Sequence, residues 1–397
     1  MGNIINLTFL IGFFALCIIL VLSLGVLILS LMVFIIRLAL KKPTTKHLKT
    51  IKSTMIFTLL IVGAALAISV ISQFTTSTPP IAGEGAIAEL IEVELNGEKQ
   101  WISIRGKNAS AEILLFLAGG PGGSQLAAVR HELPELESEF LVIGWDQPGA
   151  AKSFNMGKTP TVNDYVQDGL ALTEYLCARF GKEKIYIVGE SWGSALGVMM
   201  ASEKPERFHA LTTNAQMVDF LETEIIDYAK AIELATQKGD TEKVVKLLEN
   251  GPPPYYGKEV TWKIAAYINY LGNEMNANPQ IKNPGYETIR DIFSQEYGII
   301  DKINYLWGIA QTFNNVYPTL YDTDLRESHH TLEIPVKFIV GRHDINAPTE
   351  LSEDYFEKLN APYKSFIWFE NSGHSAWINE SDRFVEELVK MKEKPKD

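Results

Sequence analysis

The residues best suited to do chemistry are a serine between two glycines, in the pentapeptide Gly189-Glu190-Ser191-Trp192-Gly193. An apolar run, residues 185–188, comes directly before it. This pattern is typical of a strand that ends in a sharp turn, which lifts a serine hydroxyl above a sheet and leads into a helix. Glycine is needed on both sides because strand and helix pass close to the turn, where a Cβ atom would collide. Ser191 is therefore the predicted nucleophile.

A glycine-rich loop follows an earlier apolar run and reads Leu117-Ala118-Gly119-Gly120-Pro121-Gly122-Gly123-Ser124. Four glycines in five positions leave backbone N–H groups uncovered and able to point at a developing oxyanion. A phosphate-binding loop would carry a lysine followed by serine or threonine, which this loop lacks. We therefore expect the main-chain N–H groups of Gly120 and Trp192 to form an oxyanion hole.

An aspartate and a histidine follow two strand-like runs late in the chain, in Gly341-Arg342-His343-Asp344 and Ser372-Gly373-His374-Ser375. Ser191, Asp344 and His374 predict a triad in which the histidine takes the serine proton and the aspartate fixes the tautomer. His343 is the alternative base, but we expect it to point away because it adjoins the acid. Asp146 is the alternative acid, although its place before Gln147-Pro148-Gly149 is typical of a turn-forming aspartate.

Alternating strand-like and helix-like segments must position these residues. Alternating apolar residues on either side of Asn96-Gly97 predict an antiparallel hairpin. Patterns typical of buried strands and of helices then alternate. One helix is predicted over 126–136. Another is predicted over 161–180, with Thr161 as its N-cap and Asp164 in its first turn. They predict an α/β fold with a mostly parallel central sheet covered by helices on both faces. The core spans 85–215 and 333–397, and the helical pattern between them predicts an inserted cap over 216–332.

The first 75 residues are of another kind. Residues 4–36 carry no charge, and a second apolar run covers 55–71. Both are long enough for a membrane-spanning helix. The loop between them holds six basic and no acidic residues, which the positive-inside rule places in the cytoplasm. We therefore expect two transmembrane helices over 1–75, a linker over 76–84 and an extracytoplasmic domain; a cleaved signal peptide is the alternative, but its basic residues would precede the apolar run.

Composition excludes several classes of partner. A formal net charge of -12 and an isoelectric point near 5.2 argue against nucleic acid. The two cysteines, Cys17 in the apolar leader and Cys177 in a predicted helix, are not expected to form a disulfide. No Cys/His cluster has metal-ligand spacing, so we expect neither a metal nor a cofactor.

Together these stretches resemble the α/β-hydrolase superfamily and, within it, the prolyl iminopeptidase group of serine peptidases. The resemblance rests on residues 118–123, on Asp146-Gln147-Pro148-Gly149-Ala150-Ala151-Lys152-Ser153, on Gly189-Glu190-Ser191-Trp192-Gly193-Ser194, and on Asp344 with Gly373-His374. It covers roughly residues 88–392 and leaves out the apolar leader. It implies a serine exopeptidase that forms an acyl-enzyme and releases an N-terminal residue, often proline, from short peptides.

Departures from the group keep other interpretations open. Ala118 replaces the group's histidine, Pro148 its arginine, and Glu190 the residue before the nucleophile. Glutamate there also resembles the serine carboxypeptidases, which use it to hold a substrate carboxyl terminus. An aminopeptidase would instead need cap carboxylates for a free amine, and the candidates, besides a tentative role for Glu190, are Asp219, Glu222, Glu224 and Asp227. A solvated helix face is the alternative for these four.

The cap also carries aromatic residues that could wall an apolar pocket or form cap core, among them Tyr255, Tyr256, Trp262 and Trp307. The sequence thus predicts a membrane-anchored serine hydrolase acting on a small peptide or ester. An esterase or lipid hydrolase, a carboxypeptidase-like enzyme and a non-catalytic binding protein of the same fold are the alternatives. A transferase using the same acyl-enzyme is not distinguished by sequence.

Overall fold

The computed structural model describes residues 2–283 and 285–392, and this part of the chain divides into two compact units. The first unit contains helices α1 (Gly2–Ala39) and α2 (Thr45–Gln73) and the chain up to Pro79. It also includes Ser294–Lys302 from much later in the chain. The second unit holds the remaining described residues, from Pro80 onward.

Helices α1 and α2 are long and apolar enough to span a membrane. The candidate spans cover 34 and 29 residues, and an 18-residue window within them has a mean hydropathy of 3.1 in the first and 2.5 in the second, whereas a crossing needs about 20 residues. Ser23 Oγ and Thr58 Oγ1 lie 3.1 Å apart and form a hydrogen bond between the two helices. Of the six basic residues that the sequence analysis placed in a loop, only Lys41 and Lys42 lie between the helices. Arg37 belongs to the end of α1, and Lys46, Lys49 and Lys52 belong to the first part of α2.

The segment Ser294–Lys302 does not group with the cap, in which its sequence position placed it. Its backbone is held within the first unit: Ser77 N donates to Gln295 O at 3.2 Å, and Ile299 N donates to Ser72 Oγ at 2.9 Å. Asn6 Nδ2 also donates to Tyr297 O at 3.1 Å. Such long-range backbone contacts leave no trace in local periodicity, which explains why the sequence analysis missed them.

The second unit is built on one twisted sheet. Its strands are β1 (Ile87–Leu95), β2 (Glu98–Gly106), β3 (Glu112–Leu117), β4 (Phe140–Asp146), β5 (Ile185–Glu190), β6 (Phe208–Asn214), β7 (Val336–Gly341) and β8 (Lys364–Phe369). Among the described residues the strand order is β1-β2-β4-β3-β5-β6-β7-β8. Strand β2 runs antiparallel to β1 and to β4, and the remaining neighbours are parallel. The predicted hairpin is confirmed, with Leu95 opposite Glu98 across Asn96-Gly97.

Helices cover both faces of this sheet. Those of the core are α3 (Leu126–Glu132), α4 (Leu136–Glu139), α5 (Val162–Phe180), α6 (Trp192–Glu203), α13 (Thr349–Lys358), α14 (Ala376–Asn379) and α15 (Ser381–Val389). Between β6 and β7 lie α7 (Phe220–Gln237), α8 (Thr241–Asn250), α9 (Val260–Asn276), α10 (Thr288–Ile292), α11 (Ile299–Asn315) and α12 (Leu325–Ser328). The mostly parallel, doubly covered sheet with helices inserted after β6 is the fold predicted from the sequence.

Strand β3 shows why the sheet is buried on both sides. Successive strand residues point to opposite faces, and Leu115 and Leu117 enter one hydrophobic cluster while Leu114 and Phe116 enter the other. All four are at most 2% exposed. A continuous apolar run is therefore required, which is the pattern from which the strand was predicted.

Two local helix predictions had different outcomes. Helix α5 begins with a capping box in which Asp164 N donates to Thr161 Oγ1 at 3.2 Å and Thr161 N donates to Asp164 Oδ2 at 2.8 Å, as the sequence indicated. The single helix predicted over 126–136 was wrong: it is broken into α3 and α4. Pro134 explains the break, because proline disfavours the helical conformation of the residue before it, and Leu133 has φ -126° and ψ 45°.

Candidate active site

Ser191 lies in a strained turn between β5 and α6. Its φ is +53° and its ψ is -122°, an unfavourable conformation for a residue with a side chain. A Cβ atom at position 189 would lie 2.2 Å from Gly193 O, and one at position 193 would lie 2.1 Å from Leu117 O. The expectation that both flanking residues must be glycine for steric reasons is confirmed. The turn sets Ser191 at the carboxyl end of a central strand.

Asn214, the last residue of β6, connects the serine turn to the histidine loop. Its carbonyl oxygen accepts the backbone N–H of Ser191 at 3.0 Å. Its side-chain Nδ2 donates to the carbonyl oxygen of His374 at 2.7 Å. One residue thereby fixes the backbone of the predicted nucleophile and that of the predicted base, although nothing in its sequence context distinguished it.

His374 and Asp344 are in hydrogen-bond contact. His374 Nδ1 lies 3.2 Å from Asp344 Oδ1 and 3.1 Å from Oδ2. Asp344 Oδ1 also accepts the backbone N–H groups of Asn346 at 2.9 Å and Ala347 at 3.0 Å, which orient the carboxylate. Because Nδ1 is engaged with the acid, Nε2 is the ring nitrogen left for a proton from Ser191. His374 and Ser191 line the same cavity.

The electrostatic surroundings of His374 favour its protonated form. Burial of the imidazole lowers its pKa, but the charge and hydrogen bond of Asp344, together with the charge of Glu190, outweigh burial and raise the pKa of His374 to about 9. A base with so high a pKa is mostly imidazolium at neutral pH. Two carboxylates thus favour a positive charge on the ring.

The two predicted oxyanion donors, Gly120 and Trp192, line the cavity beside Ser191. Trp192 is the first residue of α6, and the N–H groups of a helix's first turn have no acceptor within the helix. Gln147 ties the two loops together: its Oε1 accepts Trp192 Nε1–H at 3.0 Å, and its Nε2 donates to Ala118 O at 3.1 Å. The arrangement is compatible with the expected oxyanion hole.

The two alternative triad residues lie elsewhere. Asp146 is fully buried, accepts the backbone N–H of Lys152 at 3.1 Å and the hydroxyl of Ser124, and so acts as the turn-forming residue that the sequence favoured. His343 does not line the cavity, and its backbone N–H is bonded to Ser372 O at 2.9 Å.

The cavity has a volume of about 270 Å³ and lies between the serine turn and the cap. Most of its wall is apolar. The apolar residues come from the segment after β6 and from helices α7, α9 and α11 of the cap: Met217, Phe220, Ile264, Ile268, Ile309 and Phe313. Glu224 brings a carboxylate to this wall, and it is accompanied there by Tyr317 and Asn269. The site can thus take a small, mainly apolar group together with one polar or cationic group.

Glu224 is 1% exposed and is held by two tyrosines of the cap. Tyr317 OH donates to its Oε1 at 2.5 Å, and Tyr267 OH donates to its Oε2. Burial raises the pKa of Glu224 to about 8, against a lowering effect of the Tyr317 hydrogen bond. A cation entering the cavity would favour the charged form of this carboxyl.

The remaining cap carboxylates have different surroundings. Asp227, one turn further along α7, is fully buried, and neither carboxyl oxygen has a hydrogen-bond partner among the described residues. Burial, followed by the charges of Glu224 and Asp344, raises its pKa well above the usual range. Asp219 and Glu222 instead pair with Arg326, at 3.3 and 2.6 Å. Of the four candidates only Glu224 lines the cavity, and Glu222, predicted to bind substrate, does not.

Glu190 also lies outside the cavity wall. It is 1% exposed and its carboxylate is bonded to protein groups on both oxygens: Ser375 Oγ donates to Oε1 at 2.8 Å, and Tyr286 OH and Gln125 Nε2 donate to Oε2. Glu190, for which the sequence suggested a tentative substrate-binding role, is therefore not among the residues that line the cavity, and its carboxylate is occupied by protein donors.

The sequence left open whether the named cap aromatics wall an apolar pocket or form the core of the cap. Tyr256, Trp262 and Trp307 are 67%, 73% and 52% exposed, and Tyr255 belongs to the hydrophobic core. None of the four lines the catalytic cavity. The aromatic contribution comes instead from Phe220, Phe313 and Tyr317, which helical periodicity alone did not separate from the rest of the cap.

Three comparisons with known proteins show what the chain is similar to. The pattern of the alpha/beta hydrolase fold family matches residues 112–241. The "Probable aminopeptidase YbaC" of Bacillus subtilis is 30% identical over 310 residues, covering 76% of this chain and 96% of that protein. A "Proline iminopeptidase" of Lactobacillus crispatus is 24% identical over 305 residues, covering 74% and 94%. The crystal structure of proline iminopeptidase from Mycobacterium smegmatis superimposes with a TM-score of 0.54 at 18% identity, covering 76% and 97%.

The chain belongs to the α/β-hydrolase superfamily, as its sheet order, inserted cap and match to the family pattern show. Within it the chain is prolyl iminopeptidase-like: it is 30% identical to a probable aminopeptidase over nearly that protein's whole length, and 24% identical to a proline iminopeptidase. About a quarter of the chain has no counterpart in these relatives.

Proposed function

We propose that this protein is a membrane-anchored serine aminopeptidase that releases an N-terminal residue, in the manner of the prolyl iminopeptidases, from short peptides. Ser191 is the nucleophile, His374 the base and Asp344 the residue that orients it. The names of the similar proteins, an aminopeptidase and a proline iminopeptidase, support this class of substrate.

The position of Glu224 is the observation that carries the proposal. Its carboxylate is in the wall of the cavity that Ser191 and His374 line, and two tyrosine hydroxyls fix it there. A free α-amine is the cation that an aminopeptidase must recognise, and a buried carboxylate binds it by a charge-assisted hydrogen bond. The apolar residues around Glu224 suit a small aliphatic side chain such as that of proline.

The chemistry follows from the contacts of the triad. Ser191 Oγ attacks the carbonyl carbon of the first residue while its proton passes to His374 Nε2, and Asp344 stabilises the imidazolium. The N–H groups of Gly120 and Trp192 receive the oxyanion. The C–N bond then breaks, the leaving amine takes the proton from His374, and an acyl-enzyme remains. Water, deprotonated by the same histidine, hydrolyses this ester and releases the amino acid.

Membrane attachment is the second part of the proposal. Helices α1 and α2 are long and apolar enough for two crossings. The basic residues near the connection between them favour a cytoplasmic position for it, by the positive-inside rule. The catalytic unit then lies outside the membrane. Cysteine-reactive labelling of intact cells would test this topology: a cysteine introduced at exposed Trp262 should react with an impermeant reagent, and one introduced at Lys46 should not.

A substrate panel tests the activity itself. The full chain in detergent is expected to cleave an N-terminal prolyl fluorogenic amide and to leave its N-acetylated form intact, since acetylation removes the amine that Glu224 binds. Cleavage of a simple ester without cleavage of any amide would contradict the proposal and identify an esterase. Release of a C-terminal residue from N-blocked dipeptides would instead identify a carboxypeptidase, for which the buried Glu190 offers no open carboxylate site.

A further inference from the structure

Glu190 is a buried carboxylate that the proposed chemistry does not yet use. It is 1% exposed, although glutamate is rarely fully buried without partners. It precedes the nucleophile directly, at the end of β5. Burying a charge is costly unless hydrogen bonds compensate for lost water, so such a residue calls for a physical account.

The donors to Glu190 come from three separate parts of the second unit. Gln125 follows the glycine-rich loop, Ser375 adjoins the base His374, and Tyr286 belongs to the cap segment between β6 and β7. The ring of Tyr286 also packs edge-on against Trp377, 5.6 Å between centroids. The carboxylate is therefore a junction at which the loops of the oxyanion hole, the base and the cap meet.

We propose that Glu190 is a positioning residue that fixes the loop carrying His374 and places a second negative charge beside the imidazolium formed during catalysis. This inference rests on the proposed function of the triad and assigns a role to a residue that touches no substrate. It replaces the carboxypeptidase-type role that the Gly-Glu-Ser sequence suggested.

The physical reason lies in the charge changes of the reaction. When Ser191 attacks, His374 becomes positively charged in a partly buried position, with 20% of its side chain exposed, where nearby opposite charges act more strongly than in open water. Two carboxylates act on that charge: Asp344, in the loop after β7, through a direct hydrogen bond, and Glu190, at the end of β5, through space. Of the three groups that contact Glu190 itself, only the Tyr286 phenol is titratable.

Removing the charge while keeping the shape tests the role. The variant Glu190→Gln retains hydrogen-bonding capacity but loses the negative charge near His374. We measure the second-order rate of labelling by a fluorophosphonate against pH, in the full chain in detergent. The wild-type rate should rise through an apparent pKa of about 9, and the variant should show a midpoint lower by about one pH unit, with an alkaline plateau reduced about tenfold.

Two matched variants separate charge from structure. Tyr286→Phe and Ser375→Ala each remove one hydrogen bond to Glu190 and leave its charge in place. They should lower stability and reduce the labelling rate, while leaving the midpoint of the pH profile close to that of the wild type. If Glu190→Gln behaves as they do, with a reduced rate and an unmoved midpoint, Glu190 is a structural residue only and the inference is wrong.

The readout does not depend on peptide cleavage, because fluorophosphonate labelling requires only the serine and its base. Failure of the aminopeptidase proposal therefore leaves this test intact. If the wild-type chain takes no label, the nucleophile proposal fails, and the imidazole titration of His374 followed by NMR replaces labelling: an equal midpoint in wild type and Glu190→Gln refutes the charge effect. If Glu190→Gln does not fold, Glu190→Asp, which withdraws the charge by one methylene, should shift the midpoint in the same direction by less.

Discussion

Two buried glutamates show how the sheet side of the site differs from the cap side. Glu190 ends β5, in what we call the floor of the site: the serine turn and the strand ends beside it. Glu224 lies in α7 of the cap. Both are 1% exposed. Glu190 is bonded to three protein donors and is closed off from the cavity, whereas Glu224 is bonded to two tyrosines and lines it. Because the carboxylate of Glu190 is bonded only to protein groups, it can hold the surrounding loops in place. The carboxylate of Glu224 lines the cavity and is available to a ligand.

The floor and the cap also differ in what fixes their geometry. The floor is set by backbone: the turn at Ser191, the glycines beside it and the carbonyl of Asn214 leave almost no freedom. The cap wall is set by side chains of helices that pack on one another. Substitutions in the floor should therefore stop the chemistry, and those in the cap should change which molecule undergoes it.

Ser191→Ala should have the largest effect. Without the nucleophile, kcat/KM for a prolyl amide should fall by about 10⁴-fold or more, with fluorophosphonate labelling abolished and the fold unchanged by circular dichroism. Ser194→Ala is the comparison: Ser194 Oγ donates to the carbonyl of Ser191 at 2.5 Å and accepts the backbone N–H of Met217 at 3.0 Å, so its loss should lower the rate by less and leave fluorophosphonate labelling in place. Equal loss in both variants would contradict the assignment of Ser191.

Glu224→Gln should affect one class of substrate only. Loss of the charged partner of the amine should lower kcat/KM for a free N-terminal prolyl amide by about 100-fold, from the ~1.5–3 kcal/mol typical of hydrogen bonds to charged groups. A short acyl ester, which has no amine, should be hydrolysed about as fast as by the wild type. The comparison is made by assaying both substrates on each variant.

The control for that change is Glu222→Gln, on the same helix. Glu222 is half-exposed and pairs with Arg326 at 2.6 Å, away from the cavity. Arg326 keeps its ion pairs with Asp324 and Asp354 when Glu222 is neutralised, so both substrates should be processed within about twofold of the wild-type rate. Equal losses for ester and amide in Glu224→Gln would show that Glu224 supports the fold and does not select the amine.

The pH dependence should differ between the same two substrates. For the ester, kcat/KM should rise with pH through about 9, because imidazolium cannot accept the serine proton and the pKa of His374 is raised to about 9. The free-amine substrate should show an additional dependence, since the carboxyl of Glu224 becomes charged through a pKa of about 8. That component should disappear in Glu224→Gln. An ester profile centred near the ordinary histidine value would contradict the raised pKa.

Asp227→Asn should have the smallest effect, on stability. The pKa of Asp227 is raised in the folded chain, so between its ordinary value and the raised one the folded state holds more protons than the unfolded state, and stability falls as pH rises. Asparagine removes this dependence. Thermal unfolding midpoints at about pH 6 and pH 8.5 should differ less in the variant, which should be the more stable by a few degrees at the higher pH. An unchanged pH dependence would show that the carboxyl is not protonated in the fold.

The floor of the site is also the part whose structure could be predicted from the sequence. Gly189 and Gly193 identify the serine turn because sterics dictate them, and apolar runs such as 113–117 identify buried strands because the sheet is covered on both faces. The role of Asn214 was not predicted because both of its partners are distant in sequence: His374 is 160 residues away, and Ser191 is more than 20 residues away. No local pattern encodes such contacts.

The cap was predictable as a helical insertion but not as a binding wall. Helical periodicity marks which residues are buried, and it does not tell which of them face a cavity and which face another helix. Glu222 and Glu224 are two residues apart, yet one pairs with Arg326 and the other lines the cavity. The separation of Ser294–Lys302 from the cap depends on long-range hydrogen bonds and was equally hidden.

The two ends of the cap meet, and this has an evolutionary consequence. Phe220 N donates to Thr323 O at 3.3 Å, Leu325 N donates to Val218 O at 3.0 Å, and Asp219 and Asp324 form a bridge. Strands β6 and β7 pair directly although residues 215–335 lie between them in sequence. A cap with adjacent ends can be lengthened, shortened or exchanged for that of a relative through a single pair of crossover points. Substrate preference can thus change in evolution through replacement of the cap, while the residues of the core that form the site stay the same.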